Sequence, residues 1–237
     1  MTPLPMPLVR LNKHIAQLGL ASRREADRLI SDGEVKINGR VVTELGVKVD
    51  PAKDKVEVSQ KVHQAREKLI YIALHKPLGY VCSARATQID PYVANDLVKI
   101  KERVYPVGRL DKDSTGLLLL TNDGTLTFAL THPSSECEKE YEVKLQGAIT
   151  PEAIRKLEAG VKLWGETTLP TRVRRIARDV IQITLREGKN RQIRRICEKV
   201  GYPVRALKRI RIKSLHLDLP VGQWRCLTPD EVQAIKK

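Results

Sequence analysis

The stretch Gly108-Arg109-Leu110-Asp111-Lys112-Asp113-Ser114-Thr115-Gly116 runs directly into Leu117-Leu118-Leu119-Leu120 and closes on Thr121-Asn122-Asp123-Gly124. Four leucines between a glycine-bounded loop and a cluster of turn residues predict an apolar strand of a buried sheet. A strand of this kind fixes the backbone while the loop at its mouth leaves side chains reachable, which makes Asp111 a candidate for chemistry. A loop aspartate also commonly caps its own backbone. The rest of the chain has to decide between these roles.

Outward from that strand, further strands are expected near residues 69–74, 80–83, 104–108, 139–146, 168–176, 180–186 and 204–212, with the leucine strand itself at 116–121. Helices are expected near 93–99, 124–131, 151–159, 191–200 and 229–236. The helix at 151 has the clearest signals: Thr150 as cap, Pro151 in the first turn and Gly160 just past the end. Strands outnumber helices and short turns join many of them. The fold class is therefore α+β, on a mixed, mostly antiparallel sheet.

Residues 9–58 read as a module of their own, preceded by a leader at 1–8 and followed by a polar linker at 59–68; the larger domain is 69–237. Asn12 is placed as the cap of a first helix ending at Gly19, with Ile15 and Leu18 facing inward. Ser22-Arg23-Arg24-Glu25 has the capping-box spacing for a second helix that stops at Asp32-Gly33. Asn38-Gly39 marks a two-residue hairpin turn, and Val56-Glu57-Val58 a further strand. So small a core suits an appended binding module. Arg24 and Arg28 stand one turn apart on its second helix, with Arg23 beside them and Lys13 on the first.

The net charge is +15, from 43 Lys and Arg against 28 Asp and Glu. That excess favours a polyanionic partner, with nucleic acid the default. Ten of the cations fall between Lys189 and Lys213, against the single acid Glu198. On the helix within this segment, Ile193, Ile196, Cys197 and Val200 form an apolar stripe. Arg191, Arg195 and Lys199 are assigned to the opposite face, toward solvent or phosphate, and Arg194 to the flank, where a long side chain can turn inward. A cation beside a desolvated aspartate keeps it ionised, and Arg194 is the expected partner of Asp111. Tyr141, placed at the start of a strand, is the candidate aromatic wall for a flat substrate.

Cys82, Cys137, Cys197 and Cys226 are far apart and lack zinc spacing, so they read as reduced, mostly packed thiols. No apolar run approaches the roughly 18 residues of a membrane span. These features predict a cytoplasmic protein that binds no membrane and holds no metal.

Two resemblances follow from these residues. Val9-Arg10-Leu11-Asn12-Lys13 with Ala21-Ser22-Arg23-Arg24-Glu25-Ala26-Asp27 resembles the S4 RNA-binding domain. Four motifs together resemble the RsuA-type ribosomal RNA pseudouridine synthases: Gly108-Arg109-Leu110-Asp111 with Thr115-Gly116-Leu117; Lys76-Pro77; Glu138-Lys139-Glu140-Tyr141; and Asn190-Arg191-Gln192-Ile193-Arg194-Arg195. Cys197-Glu198, Gly201-Tyr202 and Gly222-Gln223-Trp224-Arg225 bring it nearest the RluF branch, which acts on 23S rRNA. The chain departs from the family in ending at Lys237 without a long basic tail and in having Ile196 where Met is usual.

The resemblance implies an isomerisation of uridine to its C5-glycoside without cofactor or metal, by a monomer acting on rRNA, with a tRNA anticodon stem-loop as a second possible substrate. Asp111 would be the essential carboxylate, with Asp113 left to hold the turn. Tyr141 would stack on the base, and Arg194 would pair with Asp111. Arg109, Lys13, Arg23, Arg24, Arg28, Arg191 and Arg195 would contact RNA; Lys76, Pro77, Gly108 and Leu110 would shape the site. Three other readings compete. One is a non-catalytic S4-bearing RNA-binding or ribosome-assembly factor. Another is a metal nuclease using Asp111, Asp113 and Asp123. The third, a glycosidase pairing Asp111 with Asp113, fits poorly because residues two apart on a strand or turn often face apart.

Overall fold

A computed structural model describes residues 8–236 apart from 19, 22, 60–67, 84–85 and 133–134, and for Arg24 the backbone alone. Two compact units emerge, the first running to Leu69 and including Asp123–Phe128, the second comprising Ile70–Asn122 and Ala129 onward.

The first unit carries β1 (Val9–Arg10), α1 (Leu11–Gln17), α2 (Arg23–Ser31), β2 (Val35–Ile37), β3 (Arg40–Val41), β4 (Lys48–Val49) and β5 (Val56–Val58). Strands β3, β2 and β5 form one small sheet, and β1 pairs with β4. Asn38 and Gly39 close the β2–β3 turn at φ 50° and 80°, as the Asn-Gly pair predicts. Leu11, Ile15, Ala26, Leu29 and Ile30 of the two helices pack on Val35, Val49 and Val58.

Two expectations are corrected here. Arg10 occupies the N-cap position because β1 feeds the helix directly, so Asn12 lies inside α1 and donates to Asp27 Oδ1 at 2.8 Å. Leu18, at the C-cap of α1, is exposed, whereas Leu11, His14 and Ile15 form the buried side of that helix. The leader at residues 1–7, the helix end at Gly19, the Ser22 half of the capping box and most of the 59–68 linker lie outside the described residues.

The second unit is a nine-stranded sheet whose main path is β12 (Arg172–Ala177), β13 (Val180–Leu185), β9 (Lys139–Leu145), β14 (Val204–Ile212), β8 (Thr115–Thr121), β6 (Tyr71–Lys76) and β16 (Trp224–Cys226). β7 (Tyr105–Pro106) pairs with β8, and β15 (Leu215–His216) with β14. Every pairing on the path is antiparallel except β14 with β8. The four leucines of β8 are fully buried, so both faces of the sheet are covered there, which is why they show no alternation. Helix α3 (Gly124–Thr131) begins among the residues grouped with the first unit, whereas α4 (Pro151–Ala159), α5 (Gln192–Lys199) and α6 (Pro229–Lys236) belong to the second, with a short hairpin of β10 (Lys162–Leu163) and β11 (Glu166–Thr167). The expected strand at 80–83 is only a single parallel bridge between Val81 and Val93, and residues 168–171 precede β12 rather than belonging to it. The helix expected near 93–99 is a four-residue 3-10 turn, Ala94–Leu97.

One face of the sheet holds two apolar clusters. Val143, Leu145, Ile181 and Ile183 pack under α4 and α5; Ile72, Leu74, Leu118 and Leu120 pack with Leu110 and Ala94. Tyr141 touches both clusters. It also belongs to a row of register partners crossing five strands: Ile183, Tyr141, Arg209, Gly116 and Lys76. Residues paired in register share a face, so this row directs an aromatic ring and two cations the same way.

Candidate active site

The loop before β8 is anchored at both ends. Gly108 turns at φ 72°, a conformation glycine adopts at no steric cost. Leu110 buries its side chain in the apolar cluster beside Leu118, and its N–H donates to Cys82 Sγ at 3.3 Å. Ser114 N–H then closes a turn on the Asp111 carbonyl at 3.1 Å. Gly79 N–H donates to the Lys112 carbonyl at 2.9 Å, tying the loop to the turn after β6. Between these ties the Asp111 carboxylate stays about one-third exposed.

Asp111 lines two adjoining hollows. One, of about 280 Å³, is bounded by Val81, Cys82, Ser83, Arg109, Leu110 and Asn190 among others. The second is shallower and opens between Leu78, Gly79, Asp113 and Arg191. Tyr141 lines neither; it is half-buried in the sheet face, the third residue of β9 rather than its first.

The arginines are arranged differently from expectation. Arg194 does turn inward, but its partner is Asp113: Nε lies 3.3 Å from Asp113 Oδ2, and Nη2 donates to the Asp113 carbonyl at 2.6 Å. Arg191, expected on the outer face, grips Asp113 with both terminal nitrogens at 3.1 and 2.9 Å and brings Nη1 within 3.7 Å of Asp111 Oδ2. The reason is local. Arg191 has left-handed backbone (φ 50°) at the N-cap of α5, so its side chain leaves the helical phase that the stripe argument assumed. Asp111 and Asp113 consequently converge on one guanidinium instead of facing apart.

The hydrogen bonds from Arg191, with the charge of Arg194 beside them, hold the Asp113 carboxyl below the usual carboxylate value against the opposing effect of burial. Asp113 also draws the Arg191 guanidinium pKa upward. Among the site residues, Asp113 thus organises the cations, a role the sequence reading reduced to holding the turn.

Lys76 is fully buried at the end of β6, its ammonium donating to the carbonyls of Pro77 (2.9 Å) and Tyr80 (2.8 Å). Burial pushes its pKa down, while Cys82, Asp113 and Asp111 pull it back up. Arg209 is the second buried cation, with Nε donating to the Leu117 carbonyl at 2.7 Å. Sequence reading counted Arg209 only as part of the basic segment. The signal was its phase, two residues after the buried Leu207 on a strand. Cys82 was likewise read as a packed thiol, although it borders the hollow beside Asp111. Of the remaining cysteines, Cys137 and Cys197 are buried and Cys226 is exposed. Burial alone pushes the Cys197 thiol up to about 12.

In the first unit, Arg28 pairs with Glu25 at 2.6 Å and stays exposed, and Lys13 lies 5.5 Å from the Phe128 ring centre. The Arg24 side chain lies outside the described residues. Two of the competing readings lose their acids to other tasks. Asp123 accepts the Leu126 N–H at 3.0 Å as the cap of α3, and Asp113 is held by two arginines. Among the described residues no group of three His, Cys, Asp or Glu could hold a metal ion.

A family model described as RNA pseudouridylate synthase matches residues 70–199, the span containing this loop, both hollows and the two arginines. The chain belongs to the RNA pseudouridylate synthase family. An S4 domain model matches residues 9–56 of the same synthase. The synthase is 43% identical over 234 residues to the ribosomal large subunit pseudouridine synthase B of Bacillus subtilis (strain 168), covering 96% of this chain and 95% of that one. It is 45% identical over 232 residues to the dual-specificity RNA pseudouridine synthase RluF of Escherichia coli (strain K12), covering 97% and 79%. A crystal structure of a pseudouridylate synthase superposes with a TM-score of 0.71 at 30% identity, over 96% of this chain and 99% of that one.

Proposed function

We propose that this enzyme isomerises a specific uridine in a stem-loop of large-subunit rRNA, with Asp111 as the essential carboxylate. The observation that carries the reading is the Asp111 carboxylate, partly exposed in a hollow on a loop tied down on both sides, with the Arg191 guanidinium 3.7 Å away. A carboxylate in that position can attack the sugar or base, or remove a ribose C2′ proton. The uracil then leaves C1′, turns within the site and rejoins through C5.

A stacked uridine must first leave its stack, at a cost of a few kcal/mol. Phosphate contacts from Lys13, Arg23, Arg24 and Arg28 on the 9–58 module, and from Arg109 and Arg195 on the 69–237 domain, would offset that cost without reading sequence. Tyr141 would stack on the detached base and help confine it, since an escaped base leaves an abasic site. Lys76 and Pro77 shape the turn that faces Asp111. The names of the relatives support rRNA as substrate, and the dual-specificity relative motivates testing tRNA as a second one. On this reading the enzyme works in the cytoplasm, as a monomer.

The test maps pseudouridines in rRNA and tRNA from cells with and without the gene. One rRNA position should lose its pseudouridine without the gene and regain it with the wild-type copy but not with Asp111→Asn. The purified variant should turn over at least about 1,000-fold more slowly while still binding RNA. Turnover by Asp111→Asn, once deamidation to Asp has been ruled out by mass spectrometry, would refute the assignment.

A further inference from the structure

The β10–β11 hairpin carries a side chain for which neither the sheet core nor the reaction has a use. Leu163 pairs with Glu166, so Trp164 and Gly165 alone make the turn, at φ 49° and 88°. Turns of this kind favour Asn, Asp or Gly at the first position. A bulky residue in left-handed backbone is strained, and such strain persists where something else requires the side chain. Core packing does not supply the requirement, because Trp164 is 58% exposed.

The indole is nevertheless held in a defined setting. The Arg195 guanidinium lies over the ring, 4.6 Å from its centre, and Asn190 Oδ1 accepts from Arg195 Nη2 at 3.2 Å. A cation thus covers one side of the ring while the residue remains open to solvent. Lys199 caps the Lys162 carbonyl at 2.8 Å, and Lys189 neutralises the exposed Glu166 at 3.2 Å. Arg195 follows Arg191 by about one turn of α5, about 6 Å along the axis. The exposed ring is therefore backed by a cation on the helix that also carries, one turn earlier, the arginine that grips Asp113.

We infer that Trp164, backed by Arg195, is a stacking platform for an unpaired base of the RNA substrate near the target uridine. The inference rests on the reading of this chain as an enzyme acting on structured RNA. A base offers a π-face whatever its identity, so the platform adds affinity with little sequence preference, and the Arg195 charge beside it favours the phosphodiester backbone.

Trp164→Asn separates stacking from folding, because asparagine suits the turn and should leave Tm unchanged or raised. With rRNA purified from cells lacking the gene, KM should rise about tenfold, the scale of one lost base stack, and kcat should change less than twofold. Saturating the wild-type protein with the same rRNA should quench a tryptophan emission component that Trp164→Asn lacks. An unaltered KM, or RNA binding with no quenching of that component, would overturn the platform. Quenching of Trp164 by RNA in which no pseudouridine forms would retain the platform and refute the catalytic reading. Normal turnover with a silent Trp164 would refute the platform alone.

Discussion

Asp113 holds Arg191 bidentately and Arg194 through both its side chain and its carbonyl, so it fixes the cation nearest Asp111. Asp113→Asn keeps the shape but removes the charge. We expect kcat/KM to fall by about tenfold, with a stability loss of only about 1 kcal/mol because the side chain is nearly half exposed. Wild-type kcat/KM in steady-state assays of this variant would show that Arg191 needs no anchor. Gly116 sets a stricter limit. Its φ is 112°, and a Cβ there would fall on the backbone of Arg209 in β14. Gly116→Ala should therefore cost at least about 3 kcal/mol in urea unfolding, by forcing apart the parallel β8–β14 pair. At this scale the sequence singled out the loop carrying Asp111 but not which acid the arginines hold. Helical phase places Arg191 outward, and only its left-handed backbone reverses that.

The start of α4 was legible from Thr150-Pro151, whose threonine hydroxyl accepts from Ala153 N–H at 3.3 Å, whereas Asn12 lies inside α1 and not at its cap. The cap of α6 went unread, although Thr228-Pro229-Asp230-Glu231 has the reciprocal capping-box spacing that Thr150-Pro151-Glu152-Ala153 lacks. Glu231 N–H donates to Thr228 Oγ1 at 3.2 Å, Thr228 N–H donates to Glu231 Oε2 at 2.8 Å, and Arg225 of β16 bonds both carboxylate oxygens at 2.7 Å. Hydrogen bonds from Arg225 first, and from Thr228, hold the Glu231 carboxyl down at about 2. The folded-state value lies below the ordinary 4.5, so its stabilisation is complete above that pH and is lost as pH falls toward 2. Thermal melts between pH 6 and 2 should show Glu231→Gln less stable by about 1–2 kcal/mol at neutral pH and equal to wild type at the acid end. A constant gap across the range would remove titration of Glu231 as the cause.

For the whole molecule, the order of elements conveyed the α+β class, because strands and helices each carry their own period. Registers and bulges were out of reach, since they depend on which strands meet: β14 shifts register against β9 twice, and β15 and β16 join the sheet as short pieces with too few residues to show a period. The proposed function gives the two units separate tasks. If the first unit grips phosphates and the second performs the chemistry, the two contributions respond differently to salt. Each phosphate of a duplex site that the protein ceases to neutralise lowers the slope of log K against log salt by about 0.9. Replacing Arg23, Arg24 and Arg28 together by Gln leaves the core residues of α2 (Ala26, Leu29 and Ile30) in place. The slope for rRNA binding should then fall by about 2–3, while the single-turnover rate at saturating enzyme stays within about twofold of wild type. A changed rate with an unchanged slope would place these arginines in catalysis instead of RNA capture, and an unchanged slope with an unchanged rate would place the phosphate contacts elsewhere on the chain.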